Sequence, residues 1–410
     1  MKKLFKPGSI VVVVGAGGVG KTTIAAALGL GAARAGFSTG VLTVDPARRL
    51  RDALGIARLE VRPRPLDARR LRAAGLSGRL VLAASSMDVK ATWDGMIERL
   101  VKAPTARRQI LENKFYQNLT QRFAGAEAYA ALEQLLAMHE SGKFGVEVVD
   151  TPPTQQAFDF IEAPAHLARL LDSRSARWLL EWTARAGRER PPVTSRIASL
   201  IVAQIEKFAG ALPLFAIAQF FGAAAEATDA LRARMVEGDS LLRSSSVNFV
   251  LVTTAEENRL NEACAIIRRI ENEGLRLAAV VINRVADEKT FTALAGAPGR
   301  VPPHLREAAE LQALASTDQR LAAIAQFLAD YAAEQAAAIS RAAKFAREIR
   351  ARVSLIAIPE LQRDASELRW LTKVADALEV EGAGGRFLEQ AARAFATHER
   401  KANARPYPAQ

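Results

Sequence analysis

The stretch from Gly15 to Thr23, GAGGVGKTT, decides the fold, and the apolar run IVVVV (10–14) directly precedes it. It fits the pattern G-x-x-x-x-G-K-[ST], whose glycines let backbone N–H groups turn inward around a phosphate chain. Lys21 offers a positive charge to the β- and γ-phosphates, Thr22 offers a hydroxyl to Mg²⁺, and the following helix points its positive end at the same anion. The sequence therefore predicts a nucleotide site formed by Gly17, Gly18, Val19, Gly20, Lys21, Thr22 and Thr23.

Apolar runs of the same kind recur along the chain, and each ends in a polar or turn residue. They lie at 39–45, 145–150, 247–254, 277–283 and 353–360. Continuous apolar strands separated by helices are typical of a parallel sheet with helices on both faces. We therefore predict an α/β P-loop NTPase fold, with a mostly parallel sheet flanked by helices and a mostly helical inserted subdomain.

The domain organisation follows from where these runs lie. We predict a single P-loop ATPase domain over 1–410. Its NTPase core covers about 9–87, 144–165, 245–300 and 351–385, and Ala/Leu-rich helical inserts cover about 88–143, 166–243 and 303–350.

Two aspartates close predicted strands and are candidates for the chemistry. Asp150 ends VEVVD, where a P-loop site needs a carboxylate near its metal ion. Asp45 ends VLTVD, from which it could orient the attacking water or accept its proton. The alternative for Asp45 is a turn or helix-capping aspartate before Pro46.

Composition limits the partners. The net charge is +12, and the densest basic segment, 58–79, carries seven arginines but no aromatic residue. This segment is either a solvated basic loop or a patch that binds a polyanion. Without aromatic residues it does not form a stacking platform for single-stranded nucleic acid, so we do not expect nucleic-acid binding. The single cysteine, Cys264, excludes a disulfide within the chain and a multi-thiolate zinc or arsenite site built from this chain alone.

The start MKKLFK lacks a signal-peptide core, and the longest uncharged run, 208–225, is interrupted by Pro213 and Gln219. We therefore predict a cytoplasmic protein that is not an integral membrane protein, with peripheral membrane contact as an option. Phe208, Leu212 and Phe215 share one helical face of that run. This face would either line a groove for an apolar helix of a protein client or belong to a buried core.

Four blocks carry a family resemblance: GAGGVGKTT, TVDPARRL, VVDTPPTQQAFDFIEAP and VVINR. With them the chain resembles the ArsA-type ATPases of the deviant-Walker class, which include arsenite-pump ATPases and targeting factors for tail-anchored membrane proteins. The form of the third block is similar to a bacterial branch of that family.

The resemblance implies roles for individual residues. Asp45 falls on the aspartate that positions the hydrolytic water, which with Lys21 makes the catalytic pair. Thr22, Asp45 and Asp150 surround Mg²⁺. Asn283 falls on the asparagine that reads adenine, and Pro359 lies in the loop beside the base.

One departure from the family pattern changes the expected activity. The family's loop begins G-K, and that lysine reaches across a nucleotide-sandwich dimer to the partner's phosphates, whereas this chain has Ala16. We therefore expect a Mg-dependent, ATP-binding switch that dimerises around nucleotide to handle a protein client, as in membrane-protein targeting, with weak hydrolysis when alone. The partner would be a second copy or a lysine-bearing homologous ATPase. The alternatives are a positioning ATPase like ParA or MinD that binds DNA or membrane, and a nucleotide-binding subunit without useful turnover.

Overall fold

In the described part of the chain, eight strands form one sheet in the order β3-β4-β2-β5-β1-β6-β7-β8, and all neighbours are parallel except β3 and β4. The computed structural model describes residues 4–44, 49–76, 80–122, 125–172, 214–285, 319–349, 353–361 and 366–379. In chain order the strands are β1 (Ser9–Gly15), β2 (Thr39–Thr43), β3 (Arg64–Pro65), β4 (Leu82–Ser86), β5 (Val146–Asp150), β6 (Val247–Thr254), β7 (Leu277–Val285) and β8 (Ser354–Pro359).

The helices in these ranges follow the strands or lie between them. In chain order they are α1 (Lys21–Arg34), α2 (Arg49–Ala53), α3 (Ala68–Ala73), α4 (Val89–Leu100), α5 (Pro104–Leu111), α6 (Lys114–Arg122), α7 (Ala126–Glu140), α8 (Thr154–Asp172), α9 (Leu214–Leu242), α10 (Glu257–Asn272), α11 (Gln319–Ile349) and α12 (Glu367–Glu379).

The sheet has a separate hydrophobic core on each face because successive strand residues point to opposite sides. On β1, Ile10, Val12 and Val14 belong to one core, together with buried residues of α4, α7, α8, α9, α10 and α11. Val11 and Val13 belong to the other core, with α1, α2, α3 and α12. Most of the parallel strands read as largely apolar runs because both of their faces are buried.

The predicted α/β fold with a mostly parallel sheet is confirmed, but two strands were not anticipated. The first is β4, whose sequence LAASS is small and partly polar, and the second is β3, a two-residue antiparallel strand at the sheet edge. Helices α4 to α7 lie within the predicted insert 88–143, and α11 lies within 303–350. The division into core and inserts stays a prediction.

Of the predicted apolar face in the run 208–225, Phe208 and Leu212 lie outside the described residues, which resume at 214, and the side chain of Phe215 is not among those described. Phe220 on α9 is half-buried, and its ring lies 5.2 Å from that of Phe115 and 6.1 Å from that of Tyr116, centroid to centroid. Phe220 therefore contributes to packing between α9 and α6. Within the described ranges, no helix has both the length and the apolar character needed to cross a bilayer.

We expect a buried acid in the central sheet to make stability depend on pH. Glu147 on β5 is 2% exposed, and its Oε2 lies 3.1 Å from His139 Nδ1. Burial raises the pKa of Glu147 to about 8, because an ionised carboxylate loses hydration in the core. Between the pKa of the unfolded carboxyl and this folded value, the folded chain holds more protons than the unfolded chain. Stability contributed by the protonated form is therefore lost as pH rises through this window.

We expect Glu147→Gln, which retains a hydrogen-bonding amide beside His139, to flatten this pH dependence. The effect of one such group is at most about 1.4 kcal/mol per pH unit. Urea unfolding of wild type and variant at pH 5, 6, 7 and 8 should show the variant gaining relative stability toward pH 8. The exposed Glu348→Gln is the matched control and should run parallel to wild type. A Glu147→Gln curve parallel to wild type would contradict the assignment.

Candidate nucleotide-binding site

The candidate site lies where the two central strands end. Strand β1 leads into a loop of residues 15–20, and α1 begins at Lys21, so the amino end of a 14-residue helix closes the loop. This strand–loop–helix arrangement presents backbone N–H groups and the positive helix end to an anion. The sequence motif therefore has the structural context that a phosphate site requires.

Glycine is required at two loop positions because a Cβ there would collide with a neighbouring strand. Gly15 has φ 151°, and a Cβ there would collide with the backbone oxygen of Val252 on β6. Gly20 has φ 98°, and a Cβ there would collide with the side-chain amide of Asn283. By contrast, a Cβ on Gly17 or Gly18 would meet nothing within 4 Å. The open side of the loop is therefore the side on which a phosphate chain fits.

The side chain of Lys21 is held against the phosphate loop. Its side chain is 7% exposed, and Nζ donates a 2.8 Å hydrogen bond to the carbonyl oxygen of Ala16. The ammonium group is thereby kept at the mouth of the backbone cradle. In that position it can exchange the carbonyl for phosphate oxygens without a large movement of the helix.

Asp150 lies at the end of β5, between the two strands that flank it. It pairs in register with Val13 on β1 and Thr43 on β2, and it is completely buried. The Thr43 hydroxyl donates to Asp150 Oδ2 at 2.9 Å, and the N–H of Val44 donates to the Asp150 carbonyl at 2.9 Å. These contacts fix the carboxylate beside the strand that leads into the loop.

Hard oxygen donors at this edge fit a magnesium ion. The Thr22 hydroxyl is half-buried on the first turn of α1, and the Asp150 carboxylate is fixed one strand away. Hydroxyl and carboxylate oxygens are the ligands that Mg²⁺ takes beside nucleotide phosphates. Asp45, the third predicted ligand and predicted catalytic residue, lies outside the described residues.

Asn283 contacts the phosphate loop itself. This residue of β7 is 9% exposed, and its Nδ2 donates to the Val19 carbonyl oxygen at 2.9 Å. This hydrogen bond holds the loop against β7, a structural role that the sequence did not suggest. The role of Asn283 in reading adenine stays a prediction. Pro359 ends the next strand, β8, where it pairs with Val285.

A cavity of about 400 Å³ opens from the loop. One wall consists of predicted site residues, namely Gly18, Gly20, Lys21, Thr22 and Thr23. The other wall was missed by sequence reasoning and consists of Arg49, Asp52, Ala53, Arg284, Glu367 and Trp370. Asn283 supports the loop through its hydrogen bond to the Val19 carbonyl oxygen.

Ala16, the departure from the family pattern, is buried. Its side chain is 3% exposed and packs in the hydrophobic core on the α1 face of the sheet. The methyl group thus fits a small apolar space at the start of the loop. A longer side chain would have to extend out of that space to reach a partner.

The comparisons with known proteins identify the family of the chain. The family described as anion-transporting ATPase matches residues 8–295, which include every predicted site residue except Pro359. ATPase GET3 of Malassezia globosa is 24% identical over 276 residues, 66% of this chain and 71% of that protein. An ATPase ASNA1 homolog of Babesia bovis is 27% identical over 163 residues, 40% of each chain.

A putative arsenical pump-driving ATPase of Halobacterium salinarum is 30% identical over 165 residues, which cover 38% of this chain and 24% of that protein. The family match covers well over half of the chain and includes the strand, loop and helix that build the site. The chain therefore belongs to the anion-transporting ATPase family of ATP hydrolases, the ArsA-type ATPases.

Proposed function

We propose that the chain is a Mg-dependent, ATP-driven switch that dimerises around nucleotide and holds or releases a protein client through its helical layer. Lys21, Thr22 and the backbone of the loop would bind ATP, and Thr22 and Asp150 would hold Mg²⁺ together with Asp45. When bound, the metal ion neutralises charge on the phosphate oxygens. We place the chain in the cytoplasm.

The observation that supports a switch is the connection from Asp150 to the helical layer. Helix α8 begins at Thr154, four residues after Asp150, and it packs along α7 and α9. Its residues Phe158, Phe160 and Ile161 are buried in the same core as these helices. A shift of the segment after Asp150 would therefore be transmitted directly to α8 and its neighbours.

A charged contact fastens α8 to the NTPase core. The guanidinium of Arg269 on α10 lies 4.1 Å above the ring of Phe158, and its Nε donates to Glu162 Oε1 at 3.0 Å. This combination of a cation–π contact and an ion pair keeps the two helices in one arrangement. Nucleotide binding could act by loosening or tightening this contact.

Hydrogen exchange of the full chain with and without Mg·ATP tests the switch. We expect altered protection in peptides from 151–172 and 214–242, and no such change in Lys21→Ala, which should not bind ATP productively. Changes restricted to residues 15–25 would overturn the switch while leaving nucleotide binding intact. Capture of a client by nucleotide-bound protein would then identify the partner class.

Exposed arginines support a second candidate function, a positioning ATPase that binds DNA or membrane. Arg58, Arg62, Arg69 and Arg72 are exposed in the segment between β2 and β4. A cationic surface attracts anionic polymers and lipids, and this attraction weakens with salt. ATP-dependent sedimentation with DNA or with anionic vesicles, lost as salt rises, would support this candidate over client handling.

A further inference from the structure

The cavity beside the phosphate loop is larger than a phosphate chain needs. Its volume is about 400 Å³, and small-molecule sites typically measure about 300–1,000 Å³. The loop supplies only part of the lining, and the second wall comes from α2, from the end of β7 and from the start of α12. The cavity therefore has room for a nucleoside as well as for its phosphates.

Trp370 on α12 belongs to this second wall. Its side chain is half-buried, and the indole Nε1 donates to the carbonyl oxygen of Leu361 at 3.4 Å. Leu368 and Leu371, its neighbours on the helix, are buried in the core that also contains α1. The ring is thus held between a packed helix and the chain segment that follows β8, and it forms part of the cavity surface.

The polar groups around Trp370 suit a nucleoside. Glu367, one helical turn earlier, offers carboxylate oxygens that accept hydrogen bonds from ribose hydroxyls or base N–H groups. Arg284, at the end of β7, has a left-handed backbone conformation, φ 57°, which is costly for a residue with a Cβ. It directly follows Asn283, which is bonded to the phosphate loop. The backbone strain is therefore stored at the boundary between the loop and this wall.

Among the described residues that line the cavity, Trp370 is the one aromatic side chain. Bases stack on aromatic rings whatever their identity, because every base has a π-face. We propose that Trp370 is the nucleoside-binding wall of the site, with the base of ATP packed against its indole and Glu367 accepting hydrogen bonds from the nucleoside. This inference rests on the proposed nucleotide site.

Binding of two ligands to the full chain separates the nucleoside from the phosphates. ATP carries both parts, whereas inorganic tripolyphosphate carries only the phosphates. We expect Trp370→Leu to weaken ATP binding roughly tenfold, the lower part of what one stacked base contributes, and to leave tripolyphosphate binding unchanged. Lys21→Ala should weaken the binding of both ligands.

The outcomes distinguish the two claims. If wild type binds neither ligand, the nucleotide site itself is wrong. If wild type binds both ligands and Trp370→Leu binds ATP as tightly as wild type, the assignment of Trp370 to the nucleoside is wrong. The same holds if a folded Trp370→Leu variant loses both ligands equally.

Trp370→Phe provides a second measurement that retains an aromatic ring. Tryptophan emission of wild type should change on addition of ATP and not on addition of tripolyphosphate, and Trp370→Phe should lack this change. An equal change in Trp370→Phe would assign the signal to another of the four tryptophans and overturn the inference.

Discussion

Ala16→Lys should turn over ATP on the order of 10³-fold faster than wild type, the lower end of what a cation supplied at the transition state contributes in phosphoryl transfer. The family resemblance gives this position to a lysine that reaches the partner's phosphates. In this chain the Ala16 methyl group is buried at the start of the loop. A lysine side chain would have to leave that space, and its long apolar stem can lie along neighbouring apolar surface while its ammonium group extends toward the partner.

Phosphate release measured over a range of protein concentrations checks this expectation, since the rate per chain should rise as chains pair. Ala16→Met is the matched control because it fills a similar volume without a charge. We expect Ala16→Met to stay at the wild-type rate. Equal rates in the two variants, with both folded, would show that the cross-dimer geometry is not used.

Lys21→Ala should lower the turnover number by roughly 10²–10³-fold, as expected for loss of one group that stabilises transition-state charge in a preorganised site. Lys21 is 7% exposed, and its Nζ is fixed over the loop by the Ala16 carbonyl oxygen. Alanine suits a helix start and leaves α1 intact, so the loss would arise from the missing charge.

The control for this variant is Lys143→Ala, which removes an exposed lysine ahead of β5. Steady-state turnover at saturating ATP, with thermal unfolding of each variant, makes the comparison. Turnover by a folded Lys21→Ala variant within twofold of wild type would place the chemistry elsewhere. A matching loss in Lys143→Ala would point to a general effect of net charge.

The central part of the fold was predictable because parallel strands buried on both faces are mostly apolar. Strands β1, β2, β5, β6, β7 and β8 all carry this signal. Strand β4 does not, since its alanines and serines resemble a loop or a helix as much as a strand. Its place in the sheet is set by pairing with β2, which no local pattern reveals.

The phosphate-binding half of the site was predictable for a different reason: its glycines, Lys21 and Thr22 are consecutive in the chain. The other half is assembled from distant segments. Arg49, Arg284 and Trp370 meet at one cavity only because the sheet brings their strand ends and helices together. The available signals were the blocks TVDPARRL and VVINR, which resemble the family and contain Arg49 and Arg284, but neither block shows that the two arginines share a cavity.

The ion pair between Arg269 and Glu162 was equally hidden, because 107 residues separate its partners. It depends on α8 and α10 packing on the same face of the sheet. Sequence periodicity can show that each helix has an apolar side, but it cannot show which charged residues meet at their edges.

Calorimetric titration of the full wild-type chain with ATP in the presence of Mg²⁺ measures nucleotide binding at the phosphate loop. We expect one ATP bound per chain, with binding strongly weakened in Lys21→Ala and retained in Lys143→Ala. Absence of binding by a folded wild-type chain, or equal binding by wild type and Lys21→Ala, would contradict this expectation.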